Sequence, residues 1–393
     1  MISVKAYGAV GDGRANDAPA IQRALDADAG DVHVPPGTYS IEGPLAIGSE
    51  TTLRLADKAT FRFADGAGPR AGVDGFLITN RDHENGDHAI VIEGGVWDGN
   101  NPGNPRGPDG PRDSYTGVPL NFVHVRNLTL RNLTVRDPES FFIRLGEVTD
   151  FLVENVTLEA PHIRPNQDGV HIGGYCENGI IRRLHARGAG CPNDDMVAIN
   201  ADDDVTRAIN LGMKRGPIRN ISVEDIAAED AYTFVRLLSQ DAPIDDIRIR
   251  GIRGGCRYYA VNLHRWRFPP GKGRIKGVRI EDVDVCKLPS SHTEALIHAT
   301  LHVQDLVIDN FRRPSDTRPD VPTFELNNDC TSDVLLIGLT ARQYREMNDA
   351  STADISRDAV EDPDVYNVRA SVTTGDILRL PSGGFDNLEI RST

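Results

Sequence analysis

From residue 95 onward, apolar residues alternate with polar ones at the two-residue period of β-strands, and a bend-forming residue interrupts each run. The motif reads IEGGV at Gly95, LRNLTV at Asn132, VENVTL at Asn155 and VEDIAA at Asp225. Further copies are centred on Arg183, Gly251, Asp282, Asn310 and Gly338. The copies follow one another at about 30 residues, a period typical of solenoid proteins.

The central residue of the motif is Asn, Asp or Gly everywhere except at Arg183. These three residue types tolerate the left-handed backbone conformation that other residues avoid. Helical patterns are almost absent after residue 30. The sequence therefore predicts an all-β fold, a parallel β-helix of roughly ten coils in which every coil turns sharply at the same point.

A solenoid needs caps at its ends, and the sequence offers candidates for both. Residues 1–45 are predicted to form an N-terminal cap with a helix over about 17–28, with Asp17 as N-cap and Pro19 in the first turn. Residues 345–393 are predicted to form the C-terminal cap. The Gly- and Pro-rich stretch 98–119 is interpreted as a long loop that walls a cleft. The whole chain, 1–393, is predicted to be a single domain.

Composition narrows the range of partners. Acidic residues exceed basic ones, 58 to 43, for a net charge of −15, which argues against nucleic acid. No apolar run is long enough to span a membrane, and the N-terminus lacks the features of a signal peptide. A cytoplasmic location is expected, or a secreted or periplasmic one if a signal has been removed. The pattern indicates no cofactor and leaves the oligomeric state open.

Two aspartates precede equivalent strands, Asp168 before GVHI and Asp195 before MVAI. Successive coils of a β-helix lie about 4.8 Å apart, so these carboxylates should stack, with Asp194 on the other side of the same bend. Like charges at such a distance raise a pKa, which is a feature of functional sites. A merely solvated turn at NDD is equally compatible with the spacing.

The motifs GGVWDGN, PNQDGVHI and NDDMVAI, in this order, resemble the polygalacturonase-type glycoside hydrolases of family 28. The N-terminal sequence VKAYGAVGDGRANDAPAIQRALDA is similar to the cap of pectate-lyase-like β-helix proteins. The resemblance implies a right-handed, single-stranded parallel β-helix and an enzyme that cleaves a polysaccharide or oligosaccharide with inversion. It also implies that Asp194 is the general acid and that Asp168 and Asp195 hold and activate water.

The sequence departs from that family at two motifs. Tyr232 stands near the His of the family's Gly-His-Gly, with Arg236 further along the strand. Asn262 and His264 stand where the cations of Arg-Ile-Lys are expected, so the literal RIK at 274–276 is interpreted as a coincidence. A substrate carboxylate would then need Arg236, Arg257 or Arg265. The predicted substrate-binding residues are Asn166, His171, Tyr232, Arg236, Asn262, His264 and Arg265.

Two alternatives remain open. A polysaccharide lyase would use an Arg or Lys base and Ca²⁺, and a non-catalytic β-helix would only bind glycans. ADDD, with aspartates at 202–204, offers several carboxylates, but it lacks the spacing of a defined calcium loop. It is interpreted as a solvated turn, and no metal site is predicted.

Overall fold

The computed structural model describes residues 1–27, 30–68, 74–105, 116–269, 271–314, 316–318, 321 and 323–326, and the backbone of short strands beyond residue 339. The chain forms a right-handed parallel β-helix, which confirms the predicted all-β class. Among the described residues, no helix has the length and apolar character to cross a membrane.

The strands of the N-terminal part are β1 (Ile2–Ser3), β2 (Asp12–Asn16), β3 (Asp31–Val34), β4 (Gly37–Ile41), β5 (Leu45–Ile47), β6 (Thr52–Leu55), β7 (Ala59–Phe63), β8 (Ile78–Asn80), β9 (Asp87–Glu93) and β10 (Val96–Asp98). The central strands are β11 (Leu120–Val123), β12 (Val125–Arg136), β13 (Ile143–Gly146), β14 (Thr149–Glu159), β15 (Val170–Ile172), β16 (Glu177–Arg187), β17 (Asp195–Asn200), β18 (Ile218–Leu238) and β19 (Ile244–Leu263). Those that follow are β20 (Ile275–Lys287), β21 (Ile297–Ala299), β22 (Val303–Arg313), β23 (Phe324–Leu326), β24 (Thr340–Arg342), β25 (Arg345–Glu346), β26 (Asp354–Arg357), β27 (Val368–Ser371), β28 (Leu378–Arg379) and β29 (Glu389–Arg391).

The repeated bend-forming residues have the left-handed backbone that the sequence predicts. Positive φ angles occur at Gly95, Asn132, Asn155, Arg183, Asp225, Gly251, Asp282 and Asn310. Arg183 adopts the conformation too, with a φ of 53°. Gly338 lies outside the described residues. The pattern therefore located the bend in every described coil that it named.

A second left-handed bend, which the sequence analysis missed, lies five residues before the first in most of these coils. It is found at Asn127, Asp150, Asn178, Asn220, Asp246, Gly277 and Asp305. Strands such as β12 and β14 run through both bends, so one continuous strand contributes to two faces of the solenoid. Asn side chains link neighbouring coils along these columns, as in the 2.9 Å hydrogen bond from Asn155 to Asn132.

One face of the solenoid carries the candidate site. Its strands pair in parallel in the order β5, β8, β11, β13, β15, β17, β18, β19, β21 and β23, which agrees with the predicted number of coils. The register aligns Val170 with Val197, Val235 and Val261, whose side chains are buried. One position further along, His171, Ala198, Arg236 and Asn262 form an aligned column on the outer surface.

The N-terminal cap contains α1 (Ala18–Leu25), within the predicted range, and Pro19 lies in its first turn. Its apolar side, which includes Ile21 and Leu25, is buried against the first coils. Asp17 is at the N-cap position, but its carboxylate makes no capping bond. It accepts hydrogen bonds from the backbone N–H groups of Val10 (2.5 Å) and Gly11 (3.0 Å) instead, so it joins the helix to the preceding turn.

The other predicted domain features are only partly covered. Of the loop at 98–119, residues 106–115 lie outside the described residues, as does most of the predicted C-terminal cap at 345–393. The single-domain organisation and the wall assigned to this loop stay predictions.

Replacing Arg183 by Asn tests the left-handed columns. Asn adopts this backbone at lower cost than Arg, whereas the exposed ion pair of Arg183 with Glu154 contributes little. We expect Arg183→Asn to raise the melting temperature, measured by circular dichroism, by roughly 1 °C, and Asn155→Arg at the equivalent bend to lower it by roughly 2 °C. A lower melting temperature for Arg183→Asn would show that the ion pair outweighs the backbone conformation.

Candidate active site

The carboxylates of Asp168, Asp194 and Asp195 form one cluster. Asp168 lies two residues before Val170, and Asp195 lies two residues before Val197. Because these two valines are paired in register, the aspartates stack on successive coils as predicted. One carboxylate oxygen from each of the three residues lies within 4.8 Å of the others. The expectation that Asp194 points to the other side of the bend is therefore wrong, because its carboxylate meets the other two.

The cluster opens into a cavity of about 520 Å³ on the outer surface of this face. This volume is in the range of small-molecule sites, about 300–1,000 Å³. The described residues that line it are Phe141, Asn166, Asp168, His171, Asp194, Asp195, Asn200, Asp203, Arg207, Tyr232, Thr233, Arg236, Leu238, Tyr258, Tyr259, Asn262, His264, Trp266 and Arg267. The structure thus brings the predicted catalytic residues together with most of the predicted substrate-binding ones.

Arg265 is the predicted site residue that the structure does not place at the cavity. Its guanidinium donates to the carbonyl of Phe268 at 2.7 Å. Arg265 lies two residues beyond the end of β19, directly before a left-handed bend at Trp266 with a φ of 54°. Trp266 and Arg267 line the cavity instead, and the Arg267 guanidinium lies 4.6 Å from the centroid of the Trp266 ring.

The structure also locates the other residues of the two motifs in which the sequence departs from family 28. Tyr232, Asn262 and His264 line the cavity, whereas Arg274 and Lys276 of the literal RIK do not. Arg274 donates to the carbonyl of Asp241 on the outside of the coil. Arg257, named as an alternative carboxylate ligand, pairs with Asp230 at 2.9 Å and is not among the lining residues.

Burial and mutual repulsion govern protonation in the cluster. Burial, and next the charge of Asp168, raise the pKa of Asp194 to about 7. Burial and the charge of Asp194 also raise the pKa of Asp195 well above its usual range. A raised pKa keeps a carboxyl group protonated near neutral pH, which is the state that a general acid needs.

Arg236 supplies positive charge beside the cluster. Its guanidinium lies 3.7 Å from Asp195 and 5.4 Å from the centroid of the Trp266 ring. Burial opposes the charge, but Asp195 and Asp194 outweigh it and raise the pKa of Arg236. Its Nε atom is buried without a hydrogen-bond partner among the described residues. Arg236 therefore has a donor to offer to a bound ligand.

His171 is held between two carboxylates. Nδ1 lies 2.6 Å from Asp168, Nε2 lies 2.6 Å from Asp203, and the ring stacks on Phe141 at 3.9 Å. Burial opposes charging of the ring, but the carboxylates outweigh it and raise the pKa of His171 to about 9. A charged imidazole then donates to both neighbours, which fixes the carboxylate of Asp168 in the cluster.

Asp203 is a site residue that sequence reasoning missed, and the interpretation of ADDD as a solvated turn is wrong. Asp203 and Asp202 are buried. Burial alone would raise the pKa of Asp203, but the charge of His171 holds it below its usual value. The Asp202 carboxylate accepts from the backbone N–H groups of residues 240, 241 and 242. No local signal marked Asp203, because its partner lies 32 residues away.

Aromatic residues form one bank of the cavity. Tyr258 stacks on Tyr259 and on His292, each at 3.8 Å between ring centroids, and Tyr232 lies 5.1 Å from Tyr258. Tyr232 and Tyr258 are half-buried and line the cavity, whereas Tyr259 is almost fully buried. Aromatic faces of this kind present flat apolar surfaces with a polar hydroxyl edge.

The donor set of the cluster also suits a divalent cation. Hard cations take several carboxylate oxygens, and the three oxygens of Asp168, Asp194 and Asp195 are close enough to share one. The prediction of no metal site and no cofactor therefore stays a prediction, and sensitivity to chelators is included in the tests below.

Comparison with known proteins shows which families the chain is similar to. Residues 1–68 match the family model described as rhamnogalacturonase A/epimerase, pectate lyase-like. Polygalacturonase-2 of Solanum lycopersicum is 24% identical over 217 residues, covering 53% of this chain and 43% of that protein. The chain is thus similar to polygalacturonases over about half of its length and to a pectate-lyase-like family over its N-terminal residues. It spans less than half the length of that polygalacturonase.

Solved structures with this fold include both enzymes and an adhesin. A family 28 exopolygalacturonase of Yersinia enterocolitica superimposes with a TM-score of 0.55 at 15% identity, covering 99% of this chain and 78% of that one. The Streptococcus pneumoniae surface protein and adhesin PfbA gives 0.63 at 15% identity, covering 99% and 96%. At such identities the likeness shows the β-helix, and the function must be argued from the site.

Replacing Asp203 by Asn tests what keeps His171 charged. With one carboxylate partner neutralised, burial should weigh more, and we expect the pKa of His171 to fall from about 9 towards its ordinary value. The measurement is an NMR titration of the ring Hε1 signal in the folded protein. Asp204→Asn, at a neighbouring carboxylate bonded to Thr206, is the control and should leave the midpoint unchanged. An unchanged midpoint in Asp203→Asn would contradict the role given to Asp203.

Proposed function

We propose that this protein is a glycoside hydrolase that cleaves a pectin-like polysaccharide or its oligosaccharides. The observation that carries the proposal is the cluster of three carboxylates at the floor of a cavity. A carboxyl group with a pKa near neutrality beside two further carboxyl groups is an arrangement that glycoside hydrolysis can use. The names of the matched polygalacturonases support the choice of substrate class.

In the proposed mechanism, Asp194 protonates the glycosidic oxygen as the bond to the anomeric carbon breaks. Asp168 and Asp195 hold the water that attacks that carbon, and one of them takes its proton. His171 and Asp203 keep Asp168 oriented, because the charged ring donates a hydrogen bond to it. Tyr232, Tyr258 and Trp266 offer surfaces on which sugar rings pack.

The substrate class follows from the cations of the cavity. Arg236 has an unpaired buried Nε, and Arg207 and Arg267 also line the cavity. Guanidinium groups are suited to bidentate recognition of a carboxylate. They stand in for the Lys and Arg of the motif that this chain lacks, so a uronate-containing chain is the expected substrate.

The spacing of the carboxylates bears on stereochemistry. Inverting enzymes usually separate the two carboxyl groups by about 6.5–9.5 Å and retaining ones by about 5–5.5 Å. One oxygen atom from each carboxylate lies within 4.8 Å of the others, which is shorter than the inverting range. Inversion is proposed because the third carboxylate provides a second anchor for water, which a retaining pair does not need.

A lyase is less well supported by the site. The pKa of Arg236 is raised by its aspartate neighbours, so this residue holds its proton too firmly to act as a base. No lysine is found among the described residues that line the cavity. The carboxylate cluster would also be left without a role unless it held Ca²⁺.

Replacing Asp194 by Asn should remove the general acid. We expect the turnover number to fall by about 10²–10⁴-fold with the melting temperature maintained. In the wild type, the rate should fall as pH rises through about 7, because Asp194 must be protonated to act. Asp241→Asn, at an exposed aspartate outside the cavity, is the control and should keep wild-type activity. Near-normal activity of Asp194→Asn would refute the assignment.

Product analysis tests the reaction class. Incubation with polygalacturonate, rhamnogalacturonan and neutral polysaccharides should release sugars with new reducing ends, of which the first anomer seen by proton NMR is inverted. Near-ultraviolet absorbance with inhibition by chelator would instead identify a lyase. Binding to one of these glycans with no turnover would favour the adhesin-like alternative, and a retained anomer would make one aspartate a nucleophile.

A further inference from the structure

Residues 201–217, here called the cross-cleft segment, connect β17 to β18 and leave the sheet at the end of β17. In the middle of this segment Ile209 packs in a small apolar cluster with Phe76, Val118 and Phe141. Each of these three aromatic or apolar residues stands two positions before a strand of the same face, namely β8, β11 and β13. The segment therefore runs from the ends of the strands to their beginnings, across the outer surface of the sheet.

The crossing is fixed by contacts along its length. Arg144, on β13, donates from Nη1 to the carbonyl of Ile209 at 2.5 Å and from Nη2 to that of Leu211 at 2.9 Å. Met213 covers Gly146 so closely that a Cβ added to this glycine would lie 2.7 Å from the Met213 Sδ atom.

The segment is also bonded to the residues before Asp168. The Arg207 guanidinium donates to the Asn166 side chain at 2.9 Å, and both residues line the cavity.

The cross-cleft segment covers the surface on the N-terminal side of the carboxylate cluster but not the surface on its C-terminal side. Arg144 aligns with His171 and lies one coil before it, yet it is 1% exposed beneath the segment. The aligned residues in the coils after the cluster, Arg236 and Asn262, line the cavity. The cleft thus ends one coil before Asp168, whereas the cavity continues towards the C-terminal coils.

We infer that the cross-cleft segment blocks the N-terminal end of the cleft, so that the enzyme releases one or two sugars from chain ends and does not cut internally. The inference rests on the proposed function and deepens it. Because the carboxylates lie in the two coils next to the block, the part of a glycan between the scissile bond and the block must be short. A long chain can extend only in the direction of His264 and Trp266.

The first test uses the wild-type protein with polygalacturonate and with an oligogalacturonide labelled at its reducing end, at low conversion. We expect monosaccharide or disaccharide products, the label either on the released sugar or on a chain shortened by one such unit, and little loss of viscosity for each reducing end formed. Fragments of intermediate length in the first turnovers would overturn the inference while leaving hydrolysis intact. If neither these nor the other glycans of the panel are cleaved, the proposed function itself fails, and the inference falls with it.

The second test loosens the block. The double variant Ile209→Ala with Met213→Ala removes apolar contacts of the segment without touching the carboxylates, and we expect a several-fold larger share of internal cuts. Leu211→Ala truncates an exposed side chain of the same segment and should keep the wild-type product pattern. Should the double variant fail to fold, the single variant Met213→Ala removes only the side chain that covers Gly146 and is expected to shift the products in the same direction. End-only products from a folded, loosened variant would show that the segment is not the block.

Discussion

The structure depends on one constraint, the parallel register of successive coils. Because each coil repeats the last about 4.8 Å further along, a residue in one coil meets its counterpart in the next. Inside the solenoid this places Val170, Val197, Val235 and Val261 in a single buried column. On the outer surface the same register places Asp168 next to Asp195 of the adjacent coil, although two carboxylates at this distance repel each other. The repulsion is thus a consequence of the register, and it adds to burial, the larger cause, in raising the pKa of Asp195.

The fold was largely predictable from the sequence because a β-helix is encoded locally. A bend residue such as Asn155 or Gly251 and the alternation around it report the position of each turn without reference to the rest of the chain. The second bend, at Asn127 and its counterparts, was missed because the strand continues through it and the apolar pattern is not interrupted. Asp17 was correctly placed at the N-cap, but its side-chain partners could not be predicted, because helix-start patterns do not show whether a carboxylate turns towards the helix or back to the preceding loop.

The site was predictable only where it follows the register. Asp168 and Asp195 occupy equivalent points on adjacent coils, so the stack could be inferred from spacing alone. Asp203 and Arg267 could not, because both lie on segments that leave the sheet, where no period relates sequence to space. Arg265 lies beyond the end of β19, where the strand register no longer applies, and its side chain bonds the Phe268 carbonyl outside the cavity. The register of the coils therefore positions the stacked aspartates, whereas the irregular connections supply the residues around them.

The cross-cleft segment contributes both to the carboxylate cluster and to the shape of the cleft. Near its start lies Asp203, whose carboxylate holds the charged His171, and the segment continues to Arg207 and Ile209, which span the cleft. Phe141 belongs to both arrangements, since it stacks on His171 and packs against Ile209. A change that loosens the crossing therefore also disturbs the packing over the imidazole, and through it the orientation of Asp168. Asp203 and Ile209 belong to the same short segment, so the electrostatics of the cluster and the shape of the cleft are coupled. A mutation selected for its effect on product size would therefore also change the protonation of the site.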